Sequence, residues 1–457
     1  MRLTRRQMLA TGAAALLVPG RSRAATQTLV AKPGEVQLAP VGLPATPVWT
    51  FGGTTPGPEL RLQQGKPFEL MLDNALPEAT TVHWHGIRVP NAMDGVAGLT
   101  QDPVLPGAGF RYAFTPPDAG TYWYHAHMNS VEQLSRGLSG PLVVEETDPP
   151  DVDRDEVLFL RDWRLVDPAN VSPDFDNHHD MAHAGRLGNF VTVNAMTEQR
   201  QSVPRYSRLR LRLINAATDR VFELATSGLS GAIVAVDGMP VEAPLPIGQI
   251  FLGPGQRADL IVDVTAPEGE DALVADVFRG ETFALASFTV TAPERERRAP
   301  DIPPLAQNPA QALALDLDAA RIEPMEMQGG AMRGLRSGTY QGEQMDGRAL
   351  ATKGQYWSLN GQVNMPDAPW LTLSAGETLR IPFINATAFP HAMHLHGHHF
   401  REVYQNGTLG LWRDTILVDP GQVREVAFHA DNPGRWLLHC HMLSHRMSGM
   451  ATWIEVI

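Results

Sequence analysis

The sequence predicts an all-β protein assembled from three related sandwiches, and two observations carry that reading. Glycine and proline number 41 and 37 among 457 residues. They punctuate short alternating runs such as Phe68-Glu69-Leu70-Met71-Leu72 and Leu209-Arg210-Leu211-Arg212-Leu213. Apolar residues at every second position mark strands with one face in a core and one in water. The second observation is an internal repeat. Leu72-Asp73-Asn74-Ala75, Leu213-Ile214-Asn215-Ala216 and Phe383-Ile384-Asn385-Ala386 each end an alternating run. In the first and third copies a histidine follows the asparagine by nine residues, at His83 and His394, and Pro106-Gly107 and Pro420-Gly421 each precede another, His125 and His439, by nineteen. Each repeat is expected to be one Greek-key sandwich.

Taken in order, residues 1–24 read as an export signal. Thr4-Arg5-Arg6-Gln7-Met8-Leu9 is a twin-arginine pattern, Ala10 to Val18 is a short apolar core, and Ser22-Arg23-Ala24 suits cleavage after small residues. The apolar run is too short to serve as a permanent membrane helix. The expected destination is the periplasm or cell exterior, with no stable membrane insertion.

The first sandwich is expected over 27–147, before the turn-rich Asp148-Pro149-Pro150. The second is expected over 148–292. It keeps the Asn-Ala corner and a Pro254-Gly255 turn, yet has Leu224-Ala225-Thr226 and Leu273-Val274-Ala275 where the other copies have histidines. It therefore reads as a structural copy without metal ligands. Residues 293–344 read as a polar connector with one helical stretch, and 345–457 as the third sandwich.

The third copy carries His439-Cys440-His441-Met442-Leu443-Ser444-His445, followed by Met450, and Cys440 is the chain's single cysteine. On a strand, His439 and His441 face one way and Cys440 the other, so one segment can serve two metal centres. A lone cysteine is more often a small buried hydrophobe than a ligand. Here the three further clusters decide: His83-Trp84-His85, His125-Ala126-His127 and His391-Ala392-Met393-His394-Leu395-His396. A thiolate with two imidazoles and a thioether suits copper in both oxidation states.

These motifs resemble those of the multicopper oxidases, specifically the three-domain, bacterial laccase-like group built of cupredoxin domains, over essentially the whole chain after the signal. The resemblance implies four copper ions, one type 1, one type 2 and two type 3. It assigns Cys440, His391 and His445 to type 1 with Met450 axial, and His83 and His394 to type 2. His85, His125 and His441 are implied for one type 3 copper, and His127, His396 and His439 for the other. Asp94, in Met93-Asp94-Gly95, matches an acidic position that delivers protons near the type 2 copper. One departure is Arg446, where many bacterial relatives have a glutamate; arginine keeps its proton at working pH.

The implied reaction couples one-electron oxidation of a small donor to four-electron reduction of dioxygen to water. Phenol-like donors are expected, with cuprous or ferrous ion as the alternative. Met325, Met327, Met332 and Met345 bear on that alternative because thioethers bind cuprous ion. A copper-free structural protein of the envelope is the remaining class, disfavoured by the full ligand set. His398 and His399 match no ligand position and read as packing residues. His178, His179 and His183, among Asp174, Asp176 and Asp180, read as a solvated loop in preference to a metal site. The net charge of −13 argues against nucleic acid as a partner, and a monomer is expected.

Overall fold

The computed structural model describes residues 27–296 and 301–457, so the expected export signal lies outside the described residues. The fold is all-β, as the alternation predicts. In the first sandwich, one sheet runs in the order Thr46–Phe51, Gln27–Val36, Phe68–Asn74, Gly109–Phe114. The other runs Leu60–Gln63, Ser139–Glu145, Gly120–Ala126, Val82–His85. Between them Trp84 packs edge-on against Phe68 and Phe114, with ring centroids 5.8 and 5.2 Å away.

The second sandwich faces a six-stranded sheet, containing Arg154–Trp163, Arg208–Asn215 and Arg257–Val264, with a five-stranded one containing Phe222–Ser227 and Asp271–Asp276. In the third, Leu371–Leu373, Ala451–Val456, Gly434–Cys440, His391–Leu395 and Thr415–Val418 make one sheet. The other is centred on Thr378–Asn385 and Val423–His429.

The repeated asparagine is a structural device. Asn74, Asn215 and Asn385 each donate from Nδ2 to two carbonyls, those of Glu78 and Val104, of Arg220 and Leu252, and of Phe389 and Val418. Each Oδ1 accepts the backbone N–H two residues on. Each asparagine carbonyl accepts from the turn glycine, Gly107, Gly255 or Gly421. A buried amide with every valence met fixes the chain's exit from the strand identically in all three copies.

The span 293–344 is not simply a connector. Met325–Gly329 pairs in parallel with the strand Thr378–Asn385, and Ser337–Tyr340 lies in the same sheet. Among the described residues of that span, helix is limited to a 3₁₀ turn at Pro309–Ala312. Met325 and Met327 are 1% and 0% exposed and pack among Trp357, Phe383 and Met393. Apolar alternation on a short strand, rather than copper affinity, accounts for them.

Candidate metal centre

Eight histidines meet between the first and third sandwiches. Four come from the paired strands Val82–His85 and Gly120–Ala126, where His83 lies opposite His125 and His85 opposite Trp123. His127 follows directly. The other four come from His391–Leu395 and Gly434–Cys440, where His394 lies opposite His439, with His396 and His441 just beyond. In both pairs, alternation sends every second side chain to one face, and cross-strand pairing sets two such rows side by side. Ligand atoms within 4.8 Å of one another unite His83, His394 and His396; His83, His85 and His125; and His127, His396 and His439. His441 joins through its ring, 4.8 Å from that of His85 and 5.4 Å from that of His125.

The hydrogen bonds show what these rings can hold. His83 Nδ1 donates to the Asp94 carbonyl at 2.9 Å, His125 Nδ1 to that of Ala126 at 3.0 Å, His394 Nδ1 to that of Asp414 at 2.9 Å and His439 Nδ1 to that of Cys440 at 2.9 Å. Each bond fixes the proton on one nitrogen and leaves the other as a bare lone pair. Among the freed nitrogens, His83 Nε2, His125 Nε2 and His394 Nε2 are buried with no protein partner, and His439 Nε2 faces His396 Nε2 at 3.1 Å. Buried unpaired nitrogens are costly unless a cation takes them up. Burial also holds His85, His125, His127, His396, His439 and His441 well below the usual histidine range, so these rings are neutral and ready to ligate. The donor set fits a cluster of several metal ions.

Carboxylates complete the frame. Asp94, 1% exposed, follows the 3₁₀ turn Asn91–Met93 and sets its side chain 3.0 Å from His396 Nδ1 and 3.2 Å from His83 Nδ1. Its neighbour Gly95, at φ +84°, lies so close to Val82 that a Cβ would sit 1.9 Å from the carbonyl oxygen, so only glycine lets Asp94 approach. Opposite, Asp414 Oδ1 lies 3.2 Å from His85 Nε2, and its carboxylate is gripped by Arg257 at 2.9 and 2.7 Å. Burial opposes ionisation there, yet the Arg257 guanidinium wins and holds Asp414 well below the usual range. Asp414 is one of 50 acidic residues, and nothing in its neighbourhood in the sequence marks it out.

Across the strand from the cluster, His391 Nδ1, His445 Nδ1 and Cys440 Sγ form a second group. The two nitrogens are 3.0 Å apart, and the sulfur is 3.7 and 3.9 Å from them. All three residues are 0% exposed. Burial pushes the thiol up to about 12, so a metal must displace its proton. Thr387, at the third asparagine corner, receives the His391 Nε2 proton at 2.8 Å and orients the ring. Met450 is buried in the same core, and its carbonyl accepts from the Cys440 N–H at 3.1 Å.

The middle sandwich, expected as a structural copy without metal ligands, holds this second group in place. Leu443–Met447 is a short helix carrying His445. Leu443 N–H donates to the Thr218 carbonyl. Asp219 accepts from Ser444 N at 3.0 Å, Ser444 Oγ at 3.0 Å and Arg186 N at 3.1 Å. Burial raises Asp219 to about 6 against those donors. The segment expected as a solvated loop is corrected as well: His178–Ala182 is a helix capped by Asn177, and it packs on the helix bearing His445. The His183 carbonyl accepts the His445 Nε2 proton at 2.7 Å. Met181 O accepts from Trp357 Nε1 at 2.6 Å, and that indole lies 4.5 Å from the His445 ring. Gly255 adds a close approach, since a Cβ there would meet His85 at 2.9 Å.

His398 and His399 are buried and pack, His398 edge-on to Trp436 at 5.7 Å. Arg446 reaches Ser130 Oγ at 3.3 Å, and burial lowers it to about 10.

Family models described as multicopper oxidase match residues 34–149, 154–292 and 338–457. Multicopper oxidase MmcO of Mycobacterium tuberculosis is 30% identical over 470 residues, covering 96% of this chain and 88% of that protein. A copper resistance protein A homolog of Pseudomonas syringae pv. tomato is 28% identical, covering 93% and 91%. The crystal structure of Lac15 from a marine microbial metagenome shares 40% identity with a TM-score of 0.77, covering 94% of this chain and all of that one.

Proposed function

Because the chain belongs to the multicopper oxidase family, three cupredoxin-like domains that oxidise a donor with dioxygen as acceptor, we propose that it is an exported, laccase-like member acting on electron-rich phenols. The observation that supports it most is the set of buried imidazole nitrogens aimed at one another without protein partners. The proposed complement is four copper ions. His391, Cys440 and His445 would hold the type 1 copper, with Met450 as the proposed thioether ligand, and His83 and His394 the type 2 copper. His85, His125 and His441 would hold one type 3 copper, and His127, His396 and His439 the other. The coppers supply one-electron acceptance at one centre and four-electron delivery to dioxygen at the other.

The protein's own residues perform the rest. Cys440 is joined through backbone to both His439 and His441, so the two centres share a covalent bridge. Asp94, beside His396 and His83, is placed to hold and pass protons at its carboxylate oxygens. Arg446 carries no such proton, so in this reading Asp94 bears that duty from its side of the cluster. Residues 27–147, 148–292 and 345–457 form the three domains of the proposal, with Met325–Gly329 lent to the third. Export rests on the twin-arginine pattern of residues 1–24.

A metal-ion donor is the second reading, favoured by the copper resistance relative. Met325 and Met327, buried in the core, lend it nothing, whereas Met332 is 73% exposed. The deciding measurement is copper content and visible absorption of the purified protein, followed by oxygen consumption with a dimethoxyphenol. Four coppers, a strong blue colour and phenol-dependent oxygen uptake are expected. A colourless protein at full copper loading would reject the type 1 assignment.

A further inference from the structure

The helix His178–Ala182 exposes His178 and His179 to solvent. His179 lies within it and His183 is its C-cap, four residues on, with a backbone outside the helical region at φ −122° and ψ −129°, and the two side chains meet beyond the helix end. Their rings stack with centroids 4.0 Å apart and planes 12° from parallel. His183 Nδ1 donates to the His179 carbonyl at 2.7 Å, which fixes the proton on Nδ1 and leaves Nε2 with its lone pair. His179 is exposed, with one long contact, 4.0 Å from Nδ1 to Asp180. The other Asp180 oxygen holds Arg164 at 2.5 Å. Phe389 flanks the His183 ring at 5.8 Å.

We propose that the His179–His183 pair is a docking site for an imidazole-preferring transition-metal cation, and that cuprous ion bound there is an electron donor to the Cys440 centre. Two imidazoles held side by side, as these are by ring stacking and the His183 Nδ1 bond, can form a bidentate site for such cations, and imidazole suits copper, zinc and nickel. The position of His183 ties the pair to the Cys440 centre. The same residue that offers Nε2 to the cation offers its carbonyl to His445 Nε2 at 2.7 Å. One residue's covalent bonds and one hydrogen bond therefore join the docked cation to a ring of the Cys440 centre. His445 is 0% exposed and its outer nitrogen is capped, so a donor on this side meets the capping helix before the ring. Each cuprous ion loses one electron and leaves as cupric ion; four of them, with four protons, reduce one dioxygen to two waters. The donor role rests on the oxidase reading above, whereas the binding site does not.

The test uses the copper-loaded enzyme and zinc ion as a redox-inert probe. Calorimetric titration is expected to show a zinc site that weakens at least tenfold in H179A and in H183A and is unchanged in H178A. H183A keeps the backbone carbonyl on His445, and retention of the blue colour reports an intact centre. Zinc binding that is absent, or indifferent to both substitutions, overturns the site. In the donor arm, kcat/KM for cuprous ion is expected to fall at least fivefold in H179A while that for a dimethoxyphenol stays at the parent value. An undiminished cuprous rate overturns the donor role. A parent enzyme that oxidises neither donor would sink the oxidase reading and leave zinc binding to decide the site.

Discussion

Cys440 is the residue on which both centres depend, since its side chain and its two neighbours face opposite groups of ligands. Cys440→Ser is expected to abolish the blue colour and oxidation of every donor, while the eight-histidine cluster still binds copper; a variant that stays blue refutes the assignment. Asp94→Asn keeps the shape beside His396 and His83 but cannot release a proton. Turnover should fall at least tenfold and its pH profile move, with reduction of the Cys440 centre by donor unchanged in a stopped-flow trace. An unmoved profile would place proton delivery elsewhere. At this scale the sequence is readable where residues come in motifs: the twelve expected ligands all converge on the two groups or, for Met450, on the core beside them. It is opaque where one carboxylate acts from a distant strand. Asp414 lies 329 residues from the His85 ring it touches, and no local pattern announces such a contact.

Among elements, the short helix Leu443–Met447 has the most to lose. It has no side-chain N-cap of its own, and Asp219 supplies an anchor from another domain. Asp219→Ala would leave the Ser444 N–H and the Ser444 hydroxyl without their acceptor and the Arg186 N–H with only the Ser444 hydroxyl, at a cost of about 1–3 kcal/mol. We expect a lower midpoint in denaturant together with a changed visible spectrum, because His445 rides on that helix. A loss of stability with an identical spectrum would show that the ring is positioned by His183 and Trp357 alone. The strands and the repeated corners were legible because alternation and the Asn-Ala signature are local. The helix His178–Ala182 was not, because a single turn of three polar residues followed by Met181 and Ala182 is too short to show an apolar period, and its fold depends on the Asn177 cap and on the helix it covers.

For the molecule as a whole, Arg257 is the most consequential buried charge. From the middle domain it reaches the Thr121 carbonyl at 3.1 Å in the first and Asp414 at 2.7 Å in the third. Removing it as Arg257→Ala strands Asp414 without its counter-ion and leaves Asp237 only Arg413, at 3.8 Å, and about 3–5 kcal/mol of stability should be lost in urea titrations. A loss below 1 kcal/mol would mean that water replaces the guanidinium. Asp237 adds a pH dependence. Burial, then the nearby Asp414 charge, raise it to about 6 from an ordinary 3.8, so ionising it costs more in the folded state than in the unfolded one. Its contribution to stability therefore declines as pH rises from about 4 to about 6 and is flat above. Asp237→Asn should remove that decline, a gain of up to about 3 kcal/mol at neutral pH. Denaturation of the copper-free protein at several pH values checks it, and parallel curves for parent and variant would refute it.

The meeting of the first and last domains also has a consequence in time. Asp94 and His396, neighbours across the cluster, are 302 residues apart in the chain. At the pace of translation, the ribosome needs roughly 15–60 s to cover that distance. For that interval the newborn amino-terminal sandwich displays His83, His85, His125 and His127 with no opposing row. Such a half-built cradle grips any ion weakly and chooses poorly among them, so metal capture must be among the last events in the life of a nascent chain. The cell is thereby given a long window in which the wrong metal can arrive and leave again before the right one is locked in.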